Sequence, residues 1–573
     1  MNAAAAVDKA FVPYPFEAVH HAARLPPLKG GVETHRHAVV VVGAGPVGYC
    51  TALGLANHGV PVVLLEADDS VCFGSRAICI SRRSLQIMQR LGALPGFLRH
   101  GLPWTGGRSY YREQEVLHFT MPQDANQKLP PMVNLAQYRI EQILLDRAEE
   151  RVDLIDIRWQ SRVTALQVGD DGVVLDVATP EGSYRLQADW LVAADGGRSF
   201  VRESLGLKLH GATYEGRYVI VDIRLKSQRP TERLAYFDPP CNPGSTVLVH
   251  KQPDDVWRID YQLRDGEDPA AAIEPANVLP RVQSLLDMMG ETGAWAPIWT
   301  AIYKANALTL ERYRHGRVLL AGDAAHLLPI FGVRGANSAI DDADNLAWKL
   351  ALVVRGLAAP ALLDSYSDER VAAAHENLSH GTKSTEFMAP PSFAFELMRQ
   401  AVLGLALRHP ALRSLINPRQ TTPIAYRDSP LHGRPGRSAA FTVGPAPGWV
   451  LPECPLTRAD GCTAHLTDLL QPGFNALWFG DGVPAALQAW AQRWSARGLP
   501  MAARCIAAGA TPHADAWDHT GRLYPLLGVE PGALLLLRPD GHLLARWRGV
   551  AVPELVAEAE VALAHLLNPG TAP

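Results

Sequence analysis

The stretch Ala38-Val39-Val40-Val41-Val42-Gly43-Ala44-Gly45-Pro46-Val47-Gly48 decides how this chain is read. A valine run, the mark of a buried strand, enters three glycines spaced G-x-G-x-x-G. Tyr49–Asn57 behind it has helical character, and Gly59 suits the helix end. Val60–Leu65 is a second apolar strand, closed by Glu66. Strand, glycine turn, helix, strand and distal acid make one βαβ unit of the dinucleotide-binding kind. Gly43 permits the tight turn, Gly45 lets the backbone approach a pyrophosphate, and Gly48 lets the helix pack close to the strand. Pro46 and Val47 complete the cofactor-binding set in this turn, where the helix offers free N–H groups to phosphate. Glu66 is placed to hydrogen-bond a ribose hydroxyl and would repel a 2′-phosphate, so the site prefers NAD or FAD to NADP. There is no second G-x-G-x-x-G, so one dinucleotide is bound this way.

Composition narrows the classes. The chain has 573 residues, 47% hydrophobic and 20% charged, which is globular composition and argues against disorder. Its 54 Lys and Arg against 58 Asp and Glu give a net charge of −4, so no nucleic-acid partner is expected. No apolar run is long enough to span a bilayer and the first residues carry no secretory signal, so no membrane association and a cytoplasmic location are expected. Seven cysteines exclude a disulfide scaffold, and the odd number fits a reducing compartment. No His/Cys cluster implies a metal.

The rest of the chain alternates. Residues 1–36 read as an N-terminal extension, a mobile or surface-wrapping arm, because Pro13, Pro15, Pro26 and Pro27 interrupt helices. Leu154–Arg158, Arg162–Val168, Val173–Ala178 and Tyr184–Gln187 read as short strands, and Leu191–Ala194 as a buried strand ending at Asp195. Tyr218–Leu263 reads as strands separated by Pro/Gly turns. Val318–Leu320 runs into Gly322-Asp323, and a helix is expected from about Ser338 to Arg355. Arg427–Arg437 is the best linker. Beyond it, Ala476–Phe479 and Ala533–Leu537 read as strands, with a hairpin turn at Arg538–His542 into Leu543–Trp547 and helices at Pro484–Arg497 and Pro553–Leu567.

Two further constellations carry chemistry. Gly322-Asp323, with Pro329 and Gly335-Ala336-Asn337 after it, places an acid at a strand end and then opens a long helix. Asp323 suits a ribityl hydroxyl, and the helix N-terminus suits the electron-rich edge of a flavin, which becomes anionic on reduction. The other is Asp195-Gly196-Gly197-Arg198-Ser199.

These residues together resemble the single-component FAD-dependent aromatic hydroxylases, the class A flavoprotein monooxygenases. The likeness covers about residues 38–430 and rests on three ordered fingerprints, Gly43–Gly48, Asp195-Gly196 and Gly322-Asp323. Arg76-Ala77, in Gly74–Ala77, resembles the flavin-side loop; Gln137 with Glu141 resembles the crossover helix, and Val163 joins the implied cofactor contacts. The branch most resembled is that of 3-(3-hydroxyphenyl)propionate hydroxylase and phenol hydroxylase, which append a thioredoxin-like domain. The resemblance implies transient docking of NAD(P)H, reduction of FAD, reaction with O2 to a flavin C4a-hydroperoxide, and hydroxylation of a small phenolic or related aromatic substrate. It implies an α/β fold: a Rossmann-like FAD-binding domain (residues 37–210 and 307–426) interleaved with a mixed-sheet substrate domain (211–306). A linker (427–440) and a thioredoxin-like α/β domain lacking CxxC (441–573) follow. A homodimer is left open. Val333-Arg334-Gly335 departs from the Gly-Gln-Gly that relatives often carry here.

The substrate residues stay open at this level. Tyr236 resembles the phenol-polarising tyrosine of 4-hydroxybenzoate hydroxylase, or else packs under a sheet. His250 is a base or orienting donor, or an ordinary strand histidine. Arg258, Asp260 and Gln262 share one strand face and Trp257, Ile259 and Tyr261 the other; alternation does not say which faces the active cavity. Arg334 meets an acidic substrate or lies in solvent. The rival readings are a flavoprotein oxidase or dehydrogenase, and a non-catalytic flavin-bound sensor or assembly subunit.

Overall fold

The computed structural model describes residues 9–264, 266–416, 422–432 and 438–569. The valine run lies in the strand Val32–Val42, between Val62–Leu65 and the carboxyl half of Gly182–Ala193, both parallel to it. Val318–Leu320 pairs parallel with Leu191–Ala193 on the far side. Four parallel strands therefore end at one edge, at Gly43, Glu66, Ala194 and Ala321. In open α/β sheets this carboxyl edge is where ligands bind. Arg162–Val168 and Val173–Thr179 extend the sheet on one side and Ile155–Arg158 on the other.

Two helices lie side by side against this sheet, Pro46–Asn57 and Gly335–Val354. They approach so closely that a Cβ on Gly54 would sit 2.6 Å from that of Ala347. The longer helix begins at Gly335, three residues before the expected Ser338.

A second sheet of eight strands runs His326–Leu327, Trp295–Thr309, His210–Leu225, Val256–Gln262, Thr246–Lys251, Arg233–Phe237, Gly106–Tyr111, Gln114–Thr120. Its outer face is apolar, and the helix Pro275–Met288 packs there through Val278, Val282 and Leu285. The inner face looks towards the carboxyl edge of the first sheet. This sheet exceeds the expected 211–306, because its last two strands come from within residues 37–210.

The C-terminal sheet contains Phe474–Phe479 parallel to Met501–Ala507, joined by the helix Ala485–Ala496. On its other side Leu534–Leu537 runs antiparallel and turns back into Leu543–Trp547, followed by the helix Val552–Leu567. The central order is thus a βαβ unit joined to a ββα unit. Residues 433–437 of the expected linker lie outside the described residues.

Two expectations change, and of the two readings of the extension the surface-wrapping one describes residues 9–31. Residues 32–36 of the supposed extension belong to the first strand, paired with Arg185 and Gln187. Residues 9–31 wrap the surface: Tyr14 is buried, its hydroxyl donates to Asp222, and Phe16 stacks on Tyr138 at 4.8 Å. The separate strands at 184–187 and 191–194 are one strand, Gly182–Ala193. No helix among the described residues is long and apolar enough to cross a membrane.

The C-terminal domain docks through buried charge. Glu369, on the helix Leu362–Met388, accepts from Arg538 Nη1 at 2.5 Å and from Lys349 Nζ at 2.7 Å. Arg538 also pairs with Asp540, whose Oδ2 accepts from the Trp348 indole. Burial disfavours the ionised Glu369, but Arg538 and Lys349 overcome it and hold the carboxyl well below its ordinary range. Removing one partner of a buried pair costs about 3–5 kcal/mol, because the other charge is stranded. Glu369→Ala is therefore expected to lower the thermal unfolding midpoint by several degrees at pH 7. The depressed carboxyl contributes stability above about pH 4.3 that is lost as pH falls. The gap between parent and variant should narrow on acidification; a gap that widens would show that Glu369 does not act as the buried anion.

Candidate functional site: a dinucleotide cavity under the second sheet

A cavity of about 940 Å³ lies between the carboxyl edge of the first sheet and the inner face of the second. Its floor is the glycine turn. Gly43 has φ +99°, and a Cβ there would meet Ala194 O at 2.5 Å. At Gly48 a Cβ would lie 1.9 Å from Gly43 O, so helix and turn cross where no side chain fits. Gly48 is thus a packing residue and does not line the cavity. Gly45 does line it: its nearest neighbour, Glu141 Oε1, would be 4.0 Å from an added Cβ. At Gly335 nothing lies within 4 Å. These two open backbone positions are the cradle a pyrophosphate and a flavin edge require. Pro46, Val47, Val163, Ala336 and Asn337 complete this part of the wall.

Glu66 closes the cavity beside the glycine turn. Its Oε2 accepts the Ala44 N–H at 2.7 Å and its Oε1 the Asp68 N–H at 2.9 Å. Burial pushes the carboxyl up, and these amides oppose the shift. Each oxygen keeps a lone pair for a ribose hydroxyl.

Gln137 and Glu141 hold the loop that carries Arg76. Gln137 Oε1 accepts the Ala77 N–H at 3.2 Å and its Nε2 donates to Glu141 Oε1 at 2.9 Å. Glu141 Oε2 accepts the Cys72 N–H at 2.6 Å. Arg76 itself is exposed on the cavity wall.

On the opposite side, Asp195 accepts the Val201 N–H at 3.0 Å through Oδ2, and its Oδ1 has no partner among the described residues. Asp323 stands on the turn Gly322–Ala324 with its side chain open to the cavity, and burial within the protein pushes its carboxyl up. Gly322 is one layer back: its N–H donates to Asp342 Oδ2 at 2.9 Å, which fixes the turn. Asn337 staples the helix start, donating to Cys79 O at 3.0 Å and accepting the Ser81 N–H at 2.8 Å. Val333 has φ +54°, a costly conformation for a β-branched residue.

The second sheet supplies the facing wall of the cavity. Arg233 faces His250 across one strand pair, His250 faces Arg258 across the next, and Arg258 faces Asp222 across a third. Arg233, His250, Arg258, Asp260 and Tyr303 line the cavity. Arg258 grips Asp260 (Nη2 to Oδ1 at 2.8 Å) and donates to the Ser75 and Arg76 carbonyls at 2.9 and 2.6 Å. His250 is buried, and burial, reinforced by Arg233 and Arg258, holds its pKa well below the ordinary histidine range. It is neutral at pH 7. Arg334 is buried, not solvated, and its Nη1 donates to Asn377 Oδ1 at 2.9 Å.

Besides Gly48 and Gly322, three expected site residues lie off the cavity wall. Tyr236 is on the outer face of the second sheet, stacked on Tyr110 at 4.8 Å within the apolar cluster under Pro275–Met288. Strand alternation turns it away from the cavity that Arg233, three residues earlier, enters. Gln262 shares the face of Arg258 and Asp260 but lies past the cavity end, near Gly216. Pro329 is buried against Gly381, off the wall. Arg233 and Tyr303 were not singled out by sequence. Their signal was the alternation that places Arg233 opposite Tyr236, usable only once the inner face is known.

Fold and cavity define a dinucleotide-binding flavoprotein. Residues 36–380 match the FAD binding domain family, and the chain belongs to it. It is similar to the 3-(3-hydroxy-phenyl)propionate/3-hydroxycinnamic acid hydroxylase of Klebsiella pneumoniae (strain 342), 29% identical over 554 residues, covering 94% of this chain and 96% of that one. The enzyme of the same name from Mycolicibacterium smegmatis is 28% identical, covering 93% and 94%. Among solved structures, aklavinone-11 hydroxylase in a ternary complex with FAD and aklavinone is 25% identical with a TM-score of 0.73, covering 94% of this chain and 100% of that one. The flavin-dependent monooxygenase PieE, solved with FAD and substrate, shares the fold with a TM-score of 0.78 at 22% identity, covering 93% and 99%. Within its family the chain stands with the FAD-dependent aromatic hydroxylases, which sets aside the oxidase and sensor readings.

A bulky side chain at Gly45 would fill the cradle without disturbing the strand beneath. Gly45→Trp is expected to purify folded but without flavin, read as loss of the bound-flavin absorbance at unchanged circular dichroism. Full flavin content in this variant would move the cofactor off the glycine turn.

Proposed function

We propose that this protein uses NAD(P)H and O2 to hydroxylate a small phenolic ring held between the flavin edge and the inner face of the second sheet. The observation that carries this reading is the shared cavity: dinucleotide-binding residues and a polar, buried substrate wall face one space. FAD, when bound, supplies two-electron reduction by the nicotinamide and activation of O2.

The chain's own residues position the ring and keep the site dry. Ile220, Leu248, Ala301 and Ile330 give the wall an apolar surface that excludes water. Neutral His250 has one ring nitrogen able to accept a hydrogen bond from a phenolic hydroxyl, which raises electron density on the ring. Arg258 acts on the flavin-side loop through Ser75 and Arg76 and is a positioning residue. Arg334, at the start of the flavin-facing helix and tied to Asn377, shapes the open side of the cavity.

The C-terminal domain is read as a thioredoxin-like module without dithiol chemistry. All seven cysteines are free. Burial pushes the Cys454 thiol up to about 11, so it is protonated at neutral pH and inert.

The decisive measurement is nicotinamide consumption by FAD-loaded protein over a panel of phenols, with product mass. A product gaining one oxygen atom is expected; peroxide formed from substrate without nicotinamide would overturn the reading. Arg334→Ala should still accept reducing equivalents but release more hydrogen peroxide per NAD(P)H consumed, and equal leakage would remove its role. Cys454→Ser and Cys462→Ser should hydroxylate within a few fold of the parent, and a loss of ~100-fold in a folded variant would show thiol chemistry there.

A further inference from the structure

One guanidinium on the cavity wall has no anion of its own. Arg233 opens the strand Arg233–Phe237 and is 4% exposed, yet its Nε and Nη1 meet no hydrogen-bond partner among the described residues. Burying a guanidinium is costly unless an acceptor meets it. The other buried arginines of the wall are committed: Arg258 to Asp260, Ser75 and Arg76, and Arg334 to Asn377. The nearby carboxylates are committed as well. Both Asp260 oxygens accept from Arg258. Asp222 accepts the Tyr14 hydroxyl and stands three strands from Arg233, about 14 Å at ordinary strand spacing.

The groups around Arg233 are those of an anion receptor. His250, its cross-strand neighbour, leaves Nδ1 unpartnered. Tyr303, whose buried hydroxyl also has no partner among the described residues, lies within the field of Arg233 and on the same wall. A planar fork of donors beside a hydroxyl donor suits two coplanar oxygens, and the neutral imidazole adds no competing charge.

We propose that Arg233, aided by Tyr303, binds the carboxylate of an acidic hydroxyaryl substrate and so sets which ring carbon faces the flavin. This inference rests on the hydroxylase reading of the same cavity and adds the substrate's charge to it.

The test is equilibrium binding to oxidised, FAD-loaded protein, followed by the flavin absorbance change without nicotinamide. The probes are 3-(3-hydroxyphenyl)propionate and its primary amide, equal in shape and different in charge. The parent should bind the acid about ten- to a hundredfold more tightly than the amide, the range for a charge-assisted contact. Arg233→Met should abolish that preference while leaving amide binding near the parent value, and Arg233→Lys should restore part of it. Equal affinity of the parent for acid and amide would overturn the proposal, and that comparison needs no variant to fold. A parallel loss of both ligands in Arg233→Met would also overturn it, since the group recognised would then be the phenol oxygen they share. Oxygen insertion is scored separately. Hydroxylation of neutral phenols without acid preference removes only this inference. Acid preference without oxygen insertion into any ring removes only the hydroxylase reading.

Discussion

A single buried carboxylate, Asp342, organises the cofactor edge. Its Oδ2 accepts the Gly322 N–H at 2.9 Å and meets His326 Nε2 at 2.8 Å, while Oδ1 accepts from Arg370 Nε at 2.6 Å. A lone carboxylate so deep would be protonated or excluded. Arg370 and His326 overcome the burial penalty and hold Asp342 below its ordinary range. Arg370 in turn donates to Ser338 O at 3.0 Å and to the Tyr426 hydroxyl at 3.0 Å. The strand-end turn bearing Asp323, the helix from Gly335 and the helix Leu362–Met388 are thereby fixed to one another. Tyr426 packs against His542, ring centroids 4.4 Å apart and tilted by 31°, and so carries the same network into the C-terminal domain. That domain is clamped to the elements that shape the flavin edge, and it needs no thiol to matter there.

The second sheet works by sorting. Along Val256–Gln262, Trp257, Ile259 and Tyr261 go out to the helix Pro275–Met288, and Arg258 and Asp260 go in. The same alternation on Arg233–Phe237 sends Tyr236 out and Arg233 in. One sheet thus builds an apolar core on one face and a charged wall on the other, and a one-residue slip of register would exchange them.

This explains what was legible in the sequence and what was not. Gly43–Gly48, Glu66 and Gly322-Asp323 are local signals: each sits where a strand ends in a turn, and the chemistry follows from the turn. The inner wall is not local. Tyr236 has a familiar sequence neighbourhood and Arg233 has none, but their roles depend on which face the helix Pro275–Met288 covers. Gln262 has the right parity and falls beyond the cavity end. Arg334 gave no sign in sequence that Asn377, on a helix 43 residues further on, would receive it. The strands Gly106–Tyr111 and Gln114–Thr120 lie in sequence between elements of the first sheet yet pair in the second, a long-range choice that periodicity does not encode.

The strap formed by residues 12–16 has a consequence for the order of assembly. Val12 donates to Pro297 O at 2.8 Å, and Tyr14 reaches Asp222, 208 residues away in sequence. These residues leave the ribosome long before the strands that receive them exist. Contacts of such separation form late, because a long loop must close first. A segment made before the strands that receive it is then among the last to settle. Until it does, Asp222 lies beside Arg258 without its phenolic donor, so the polar row of the second sheet is finished only when the strap seats.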